Sequence, residues 1–271
     1  MSLIVPSWYN GQIARGLGDA ANPSLRRGLV GAWYPGLGPT GDKLYDVSGY
    51  KNHGTLTNMD PATDWVVGQD GYALDFADGV NQYVDSSMDQ FESISCVFLM
   101  ALRATPGPSR HIIGQFDAAS DGWELAVDSS RNLWYAHSYN WAVNNTSYTF
   151  TLGRWVSIGF VFDKAIGATL YANGIVIASD SGSGSLAVSS NFRIGVRSGG
   201  GLDPPTMSLG NCCVYNRALQ PDEIAQLYVD PYAPIRRRRR VVVNIPAEVA
   251  GGSESFSFPP SFGTGFMHGA F

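Results

Sequence analysis

The segment 155–177 constrains the fold of this chain more than any other part of its sequence. Apolar side chains occupy every second position from Val156 to Phe162. Because successive side chains of a β-strand point to opposite faces, this alternation predicts a strand with one face in a hydrophobic core. Two further β-prone runs, 168–172 and 175–177, are separated only by Asn173-Gly174. This dipeptide favours a tight hairpin, since both central residues of a type I′ turn need positive φ.

Similar short runs, separated by clusters of turn-forming residues, recur from Gly28 to Tyr215, as in a β-sandwich or barrel. Hydrophobic residues make up 44% of the chain and charged residues only 15%, which allows a large core. A short helix is predicted after Gln220, because proline occupies its first position and Ile224 and Leu227 begin an apolar stripe that Tyr228 continues. The sequence therefore predicts an all-β domain with one helix near its C-terminal end.

Composition divides the chain into three parts. Residues 1–27 show no sustained period and are interpreted as an extended N-terminal arm, while residues 28–232 form the predicted sandwich. Residues 233–271 contain a run of five arginines, a short β-prone segment and a Gly/Ser/Phe-rich tail, and are interpreted as a C-terminal arm.

Six segments of the predicted sandwich follow one another in a distinctive order. They are GLVGAW (28–33), DVSGYKNHG (46–54), ALDF (73–76), RWVSI (154–158), LYANGI (170–175) and VYNRALQPDEI (214–224). No single segment is specific, but in this order they resemble the laminin-G-like family of concanavalin A-type lectin and glucanase domains. The resemblance implies a jelly-roll of two antiparallel sheets, one of them concave. It implies no particular function, because this fold hosts lectins, adhesion modules, hydrolases and structural proteins.

Retaining glycosidases with this fold carry a motif that resembles E-x-D-x-x-E, which places two carboxylates close together on one strand. This chain has five glutamates, and none is followed by aspartate two residues later. Glu124 and Asp128 share strand parity, but their spacing differs from the motif. The sequence also contains no G-x-S-x-G elbow and no glycine-rich phosphate loop before a helix. It therefore predicts no catalytic residues and no enzymatic activity.

Metal and cofactor sites are not predicted. Cys96, Cys212 and Cys213 do not form a disulfide framework or a C-x-x-C pair and are interpreted as buried, reduced thiols, and the histidines are scattered. Calcium at a loop rim is left open, because two loops carry several oxygen ligands. These residues are Asp46, Asn52, Asp75, Asp78 and Asn81. The alternative is that they only form turns.

Aromatic and amide residues are concentrated between Trp134 and Asn145. Sugars present apolar C–H faces and hydroxyl groups, which suit aromatic rings flanked by amides. The residues predicted to bind a glycan are Tyr139, Asn140, Trp141 and Asn144. The alternative is that this segment only packs and anchors a loop, because strand alternation requires at least one of Trp134 and Tyr135 to lie in the core.

The C-terminal arm carries residues suited to contacts with neighbouring chains. Its segment 241–245 can add a strand to the edge of another sheet, and its arginine run can bind acidic surfaces through bidentate pairs. The residues predicted to bind partners are Arg236, Arg238, Arg240, Val242, Phe256, Phe258, Phe262 and Phe266. A solvated linker and nucleic-acid contact are the alternatives for the arginine run. The formal net charge of -5 disfavours nucleic acid.

The start of the chain has no basic segment and no apolar run of signal-peptide type, and no stretch is long enough to cross a membrane. We therefore expect a protein made in a host cytoplasm that stays there or leaves inside an assembly. A lectin-like sandwich with aromatic-rich arms and no signal resembles the decoration and fibre proteins of bacteriophage particles. The predicted function is structural or adhesive and non-catalytic, with arms docking on capsid or sister subunits of a virion. The alternative is a free-standing carbohydrate-binding lectin.

Overall fold

A computed structural model describes residues 13–116, 122–137, 144–182, 186, 190–197 and 203–238. These residues belong to one compact unit, residues 1–238. They form two antiparallel sheets that pack face to face, so the predicted all-β, concanavalin-like sandwich is confirmed. Among the described residues, no helix has the length and apolar character needed to cross a membrane.

Sixteen strands are assigned within the described ranges. They are β1 (Leu29–Trp33), β2 (Lys43–Leu44), β3 (Gly54–Thr57), β4 (Trp65–Gly68), β5 (Gly71–Phe76), β6 (Tyr83–Ser86), β7 (Ile94–Leu102), β8 (Ser109–Phe116), β9 (Gly122–Asp128), β10 (Asn132–His137), β11 (Asn144–Thr149), β12 (Trp155–Asp163), β13 (Gly167–Ala172), β14 (Ile175–Ser179), β15 (Phe192–Ile194) and β16 (Met207–Tyr215). The first sheet has the order β14-β13-β12-β7-β16-β5-β4, with β1 also paired to β16. The second sheet has the order β11-β10-β9-β8-β15-β6-β3-β2.

The main hydrophobic core lies between the two sheets. The predicted alternation of β12 is confirmed, because Val156, Ile158, Phe160 and Phe162 are all buried there. Trp123 of β9 stacks on Phe160 with ring centroids 5.0 Å apart, which joins the second sheet to the first. Aromatic pairs of this kind contribute about 0.5–1.5 kcal/mol beyond their buried area.

The hairpin between β13 and β14 has the turn that its dipeptide predicts. Asn173 and Gly174 have φ values of 52° and 80°, both in the left-handed region. Asn tolerates this region better than most residues and Gly adopts it without steric cost. The turn therefore places Asn173 beyond the end of β13, beside the start of β12.

Helices and terminal segments cover the outer face of the first sheet. The predicted helix, α2 (Pro221–Val229), has proline in its first turn and packs Ile224 and Leu227 into a second hydrophobic cluster. A shorter helix, α1 (Pro23–Arg26), buries Leu25 in the same cluster. The sequence analysis did not predict α1, because four residues are too few to show a helical period. Two short 3-10 helices occupy Leu17–Asp19 and Pro35–Leu37.

The described ends of the chain lie side by side. The amide of Ala14 donates to the carbonyl of Ile235 at 2.8 Å, and that of Arg238 donates to the carbonyl of Asp19 at 2.7 Å. Ala20 and Leu25 are fully buried. The described parts of both predicted arms thus contact each other, while the proposed domain boundaries remain predictions.

Candidate functional site

An open cleft of about 290 Å³ lies on the outer face of the first sheet. Val97 and Leu99 of β7 and Cys213 of β16 line it from the sheet, and Leu227 and Tyr228 line it from α2. Its polar lining residues are Gln69, Asp70, Arg154, Ser157, Asn173 and Asn211, and its aromatic ones are Phe98, Trp155 and Tyr228. The cleft therefore combines an apolar base with a polar rim, as small-molecule sites generally do.

The strand register explains why these residues meet. Ser157 pairs with Leu99 across β12 and β7, and Val97 pairs with Cys213 across β7 and β16. Because the alternate residues of β12 face the core, Trp155 and Ser157 emerge on the outer face. The indole of Trp155 reaches towards β4, where a Cβ added to Gly68 would lie 3.4 Å from its Cη2 atom.

Asn211 lies at an irregularity of β16. The register of β16 against β7 shifts between Leu209 and Cys212, which is the signature of a β-bulge. The Oδ1 atom of Asn211 is buried and has no hydrogen-bond partner among the described residues. An unpartnered buried acceptor costs about 1–3 kcal/mol, so its retention in the cleft calls for an explanation.

Asn173 is held at the cleft by its own turn. Its Oδ1 accepts the amide of Ser157 at 3.1 Å, and its backbone amide donates to the carbonyl of Ser157 at 2.8 Å. This pairing fixes the side chain and leaves its NH₂ group without a partner among the described residues. Below it, burial raises the pKa of the Cys213 thiol, so this residue is neutral and lies 2.9 Å from the hydroxyl of Tyr34.

A different polar cluster lies on the outer face of the second sheet, where Glu124 of β9 is fully buried. Arg197 donates to both of its carboxylate oxygens, from Nε at 3.0 Å and from Nη2, and Nδ1 of His111 lies 3.2 Å from Oε2. Burial alone would raise the pKa of Glu124, but the hydrogen bonds from His111 and Arg197 lower it below its usual value. The guanidinium of Arg197 also lies 4.5 Å above the ring of Phe116.

A third polar cluster lies at the end of β10. The hydroxyl of Tyr135 donates to Asp180 at 2.7 Å, and Nε2 of His137 lies 2.9 Å from the same carboxylate. Burial alone would raise the pKa of Asp180, but the hydrogen bonds from Tyr135, from His137 and from the amides of Ala168 and Gly182 together hold it below its usual value. The predicted glycan residues follow directly in the chain. Tyr139, Asn140 and Trp141 lie outside the described residues, and Asn144 pairs with Tyr135 through its backbone in β11. The glycan site at these four positions thus stays a prediction.

The predicted partner-binding residues fall into two groups. Those outside the described residues are Arg240, Val242, Phe256, Phe258, Phe262 and Phe266. Arg236 and Arg238 are described, and both contact their own chain. Arg236 forms an ion pair with Asp230 at 2.6 Å, and the backbone of Arg238 binds that of Asp19. Their role in binding partners remains a prediction.

The loops considered for calcium are held by hydrogen bonds. The carboxylate of Asp46 accepts the amides of Ala32, Ser48 and Asn52 at 2.7–2.9 Å, as well as the hydroxyl of Ser48. Asp75 pairs with Arg103, and Asp78 with Arg110. Within the described ranges, no group of three or more His, Cys, Asp or Glu side chains is arranged to hold a metal ion. The three thiols are buried and free.

The cleft is not evident from the sequence because its lining comes from distant segments. The turn between β4 and β5, the strands β7, β12 and β16, and the helix α2 each contribute only two or three residues. One local signal was present in β12, where Trp155, Ser157 and Gly159 alternate with the core residues. A large aromatic residue beside two small ones on the non-core face of a strand indicates a surface that another group covers.

The family of the chain follows from its sequence and agrees with this fold. The model of the concanavalin A-like lectin/glucanases superfamily matches residues 78–225, more than half of the chain. The protein therefore belongs to this superfamily, as the order of its six sequence segments predicted. No curated protein sequence matches the chain.

Several solved structures share the fold. The binding domain of botulinum neurotoxin serotype D is 13% identical, with a TM-score of 0.60, and the match covers 78% of this chain and 53% of that chain. The binding domain of Paraclostridial Mosquitocidal Protein 1 is 18% identical, with a TM-score of 0.58 and coverages of 77% and 53%. Trypanosoma rangeli sialidase in complex with 2,3-difluorosialic acid is 17% identical, with a TM-score of 0.57 and coverages of 75% and 33%. The chain thus spans between a third and about half of these proteins, and the likeness shows the fold alone.

These matches correct the prediction that the chain is not an enzyme. That prediction excluded catalysis because one strand motif is missing, yet structures of a sialidase share the fold over 75% of this chain. The second sheet shows why the absence of one strand motif does not exclude catalysis. Glu124 and His111 come together from β9 and β8, so acid–base groups can meet across strands without any motif along one strand. The likeness does not show an activity for this chain.

Proposed function

We propose that this protein binds carbohydrate in the cleft on the outer face of the first sheet. The observation that carries the proposal is Asn211, which lines the cleft at a β-bulge and whose buried Oδ1 has no donor among the described residues. Rotation of this amide would present the acceptor to a sugar hydroxyl, and the new hydrogen bond would remove the cost of leaving it unpaired.

The rest of the lining fits the same ligand class. Trp155 is half-buried and the side chain of Tyr228 is 46% exposed, so both rings can cover the apolar C–H face of a sugar. The amides of Asn173, Asn211 and Gln69 offer donors and acceptors together, which suits hydroxyls that both donate and accept. The volume of about 290 Å³ is near the lower end of ligand sites and fits one sugar unit of a longer glycan.

Display on a phage particle is a second candidate function. It rests on the residues of the C-terminal arm beyond position 238, which lie outside the described residues. Light scattering of the full chain tests it, because arms that join sister subunits produce a defined oligomer. Carbohydrate binding and a location on a virion are compatible, since a particle protein can recognise a surface glycan.

The test of carbohydrate binding is a glycan array with the full chain, followed by titration calorimetry with the sugars it retains. We expect Asn211→Ala and Trp155→Ala to weaken binding by about tenfold or more, which corresponds to one lost hydrogen bond or stacking contact. Asn191→Ala is the matched amide control, because Asn191 is exposed on the second sheet and bonds Asp85. Failure of every glycan to bind, or unchanged affinity in Asn211→Ala, would overturn the proposal.

A further inference from the structure

We infer that the cleft selects sugars that carry a carboxylate, and this inference rests on the proposed carbohydrate function. Its basis is the charge at the rim. Arg154 lines the cleft, and its guanidinium forms no ion pair with any described acidic residue. By contrast, Arg103, Arg110 and Arg217 each pair with a carboxylate of the chain.

Next to Trp155, backbone hydrogen bonds hold the main chain of Arg154 in place. Its amide donates to the carbonyl of Thr151 at 3.2 Å, and the amide of Gly153 donates to the carbonyl of Leu102 at 2.7 Å. Gly153 has a φ of 71°, so this turn has a defined left-handed conformation. Because Arg154 and Trp155 both line the cleft, a sugar ring that stacks on Trp155 would direct its substituents towards the side of the cleft that Arg154 lines.

An unpaired arginine at the rim of a cleft favours an anionic ligand group. The guanidinium presents its donors as a fork that matches the two oxygens of a carboxylate or a phosphate, and such charge-assisted pairs are stronger than neutral hydrogen bonds. A ligand carboxylate therefore completes at Arg154 the kind of pair that Arg103, Arg110 and Arg217 make within the chain.

Asp70 restricts the charge of the anion that the cleft can accept. Among the described residues it is the one acidic residue that lines the cleft, and its backbone is held because its carbonyl accepts the Tyr232 hydroxyl at 3.1 Å. Its carboxylate lies beyond ion-pair distance of Arg154, so the two charges do not cancel by direct contact. Asp70 accepts sugar hydroxyls well but repels anions, and it repels a doubly charged phosphate more than a singly charged carboxylate. The cleft thus suits a ligand with a carboxylate at one end and hydroxyls at the other.

The experiment compares matched sugars on the full chain by titration calorimetry. The probes are oligosaccharides that end in glucuronate, glucose or glucose 6-phosphate, and the same three forms of galactose. We expect the carboxylated form of one series to bind at least about tenfold more tightly than its neutral form, with the preference weakening as salt is added. Arg154→Gln should abolish the preference while keeping neutral binding, and Arg154→Lys should keep part of it. Arg131→Gln, in the turn between β9 and β10 of the second sheet, is the control and should change nothing.

The outcomes separate this inference from the function on which it rests. If neutral and carboxylated sugars bind equally and Asn211→Ala weakens both, the inference is wrong and the carbohydrate function stands. If the phosphorylated form binds best, or if Arg154→Gln keeps the preference, the assignment of a carboxylate to Arg154 is wrong. If no sugar binds, both proposals fail together.

Discussion

The outer faces of the two sheets differ in how they hold charged side chains. On the second sheet, Glu124 is fully buried and Arg197 and His111 contact its carboxylate, although Nε2 of His111 is buried without a partner among the described residues. On the first sheet, Asn211 has a buried oxygen without a donor and Arg154 has no acidic partner among the described residues. Both faces belong to the same sandwich, so the fold alone does not decide this difference. A carboxylate whose charge is paired within the chain thus contributes to stability, whereas an unpartnered acceptor in a residue that lines a cleft points to a ligand.

The buried polar groups on the two faces also differ in how their desolvation cost is offset. A buried ion pair whose members are also hydrogen-bonded recovers its desolvation cost within the protein, and removal of one member leaves an uncompensated charge. A buried neutral acceptor without a partner recovers nothing until a donor arrives from outside. We therefore expect substitutions on the second sheet to change stability and substitutions in the cleft to change binding.

The largest effect is expected for Glu124→Gln. This change leaves Arg197 and His111 facing a neutral amide, and the loss of one member of a buried pair costs about 3–5 kcal/mol. Urea unfolding of the full chain measures the loss. Asp85→Asn is the control, because the Asp85–Arg193 pair is partly exposed and such pairs contribute at most about 1 kcal/mol. If Glu124→Gln lost no more than this control, the cluster would not stabilise the fold.

Acid should weaken the wild-type protein through the same carboxylate. The folded pKa of Glu124 lies below its value of 4.5 in an unfolded chain, so its stabilising contribution is complete above that pH. The contribution is lost as the pH falls from 4.5 through the folded pKa, because the unfolded state then binds the proton first. Urea unfolding at a series of acidic pH values should show this decline, and Glu124→Gln should show a shallower one. Parallel declines in the two proteins would assign the acid sensitivity to other groups.

The sequence predicted those parts of the fold that depend on neighbours along the chain. Alternation identified β12, the Asn173-Gly174 dipeptide identified the hairpin, and the proline at 221 identified the start of α2. Each of these signals is local, because side-chain parity, positive φ and helix capping act within a few residues.

The candidate site could not be predicted in this way. Arg197 binds Glu124 although 73 positions of the chain separate them. Trp155 of β12 and Asn211 of β16 line the same cleft because both strands pair with β7. Strand order in a sheet depends on packing between distant segments, which no spacing along the chain encodes. The bulge that turns Asn211 is likewise a property of the pairing of two strands.

The smallest effect on stability is expected for Asn211→Ala, and it tests the comparison from the side of the cleft. Removal of a buried acceptor that has no donor takes away a cost rather than a bond, so the free energy of unfolding should stay the same or rise by up to about 1 kcal/mol. Asn173→Ala is the matched control in the same cleft. Its side chain accepts the Ser157 amide and its φ of 52° disfavours alanine, so it should lose about 1 kcal/mol or more. Urea unfolding of both variants decides the point. A loss above about 1 kcal/mol in Asn211→Ala would mean that its amide is satisfied within the folded protein, and the two faces would then not differ in the way that the carbohydrate proposal requires.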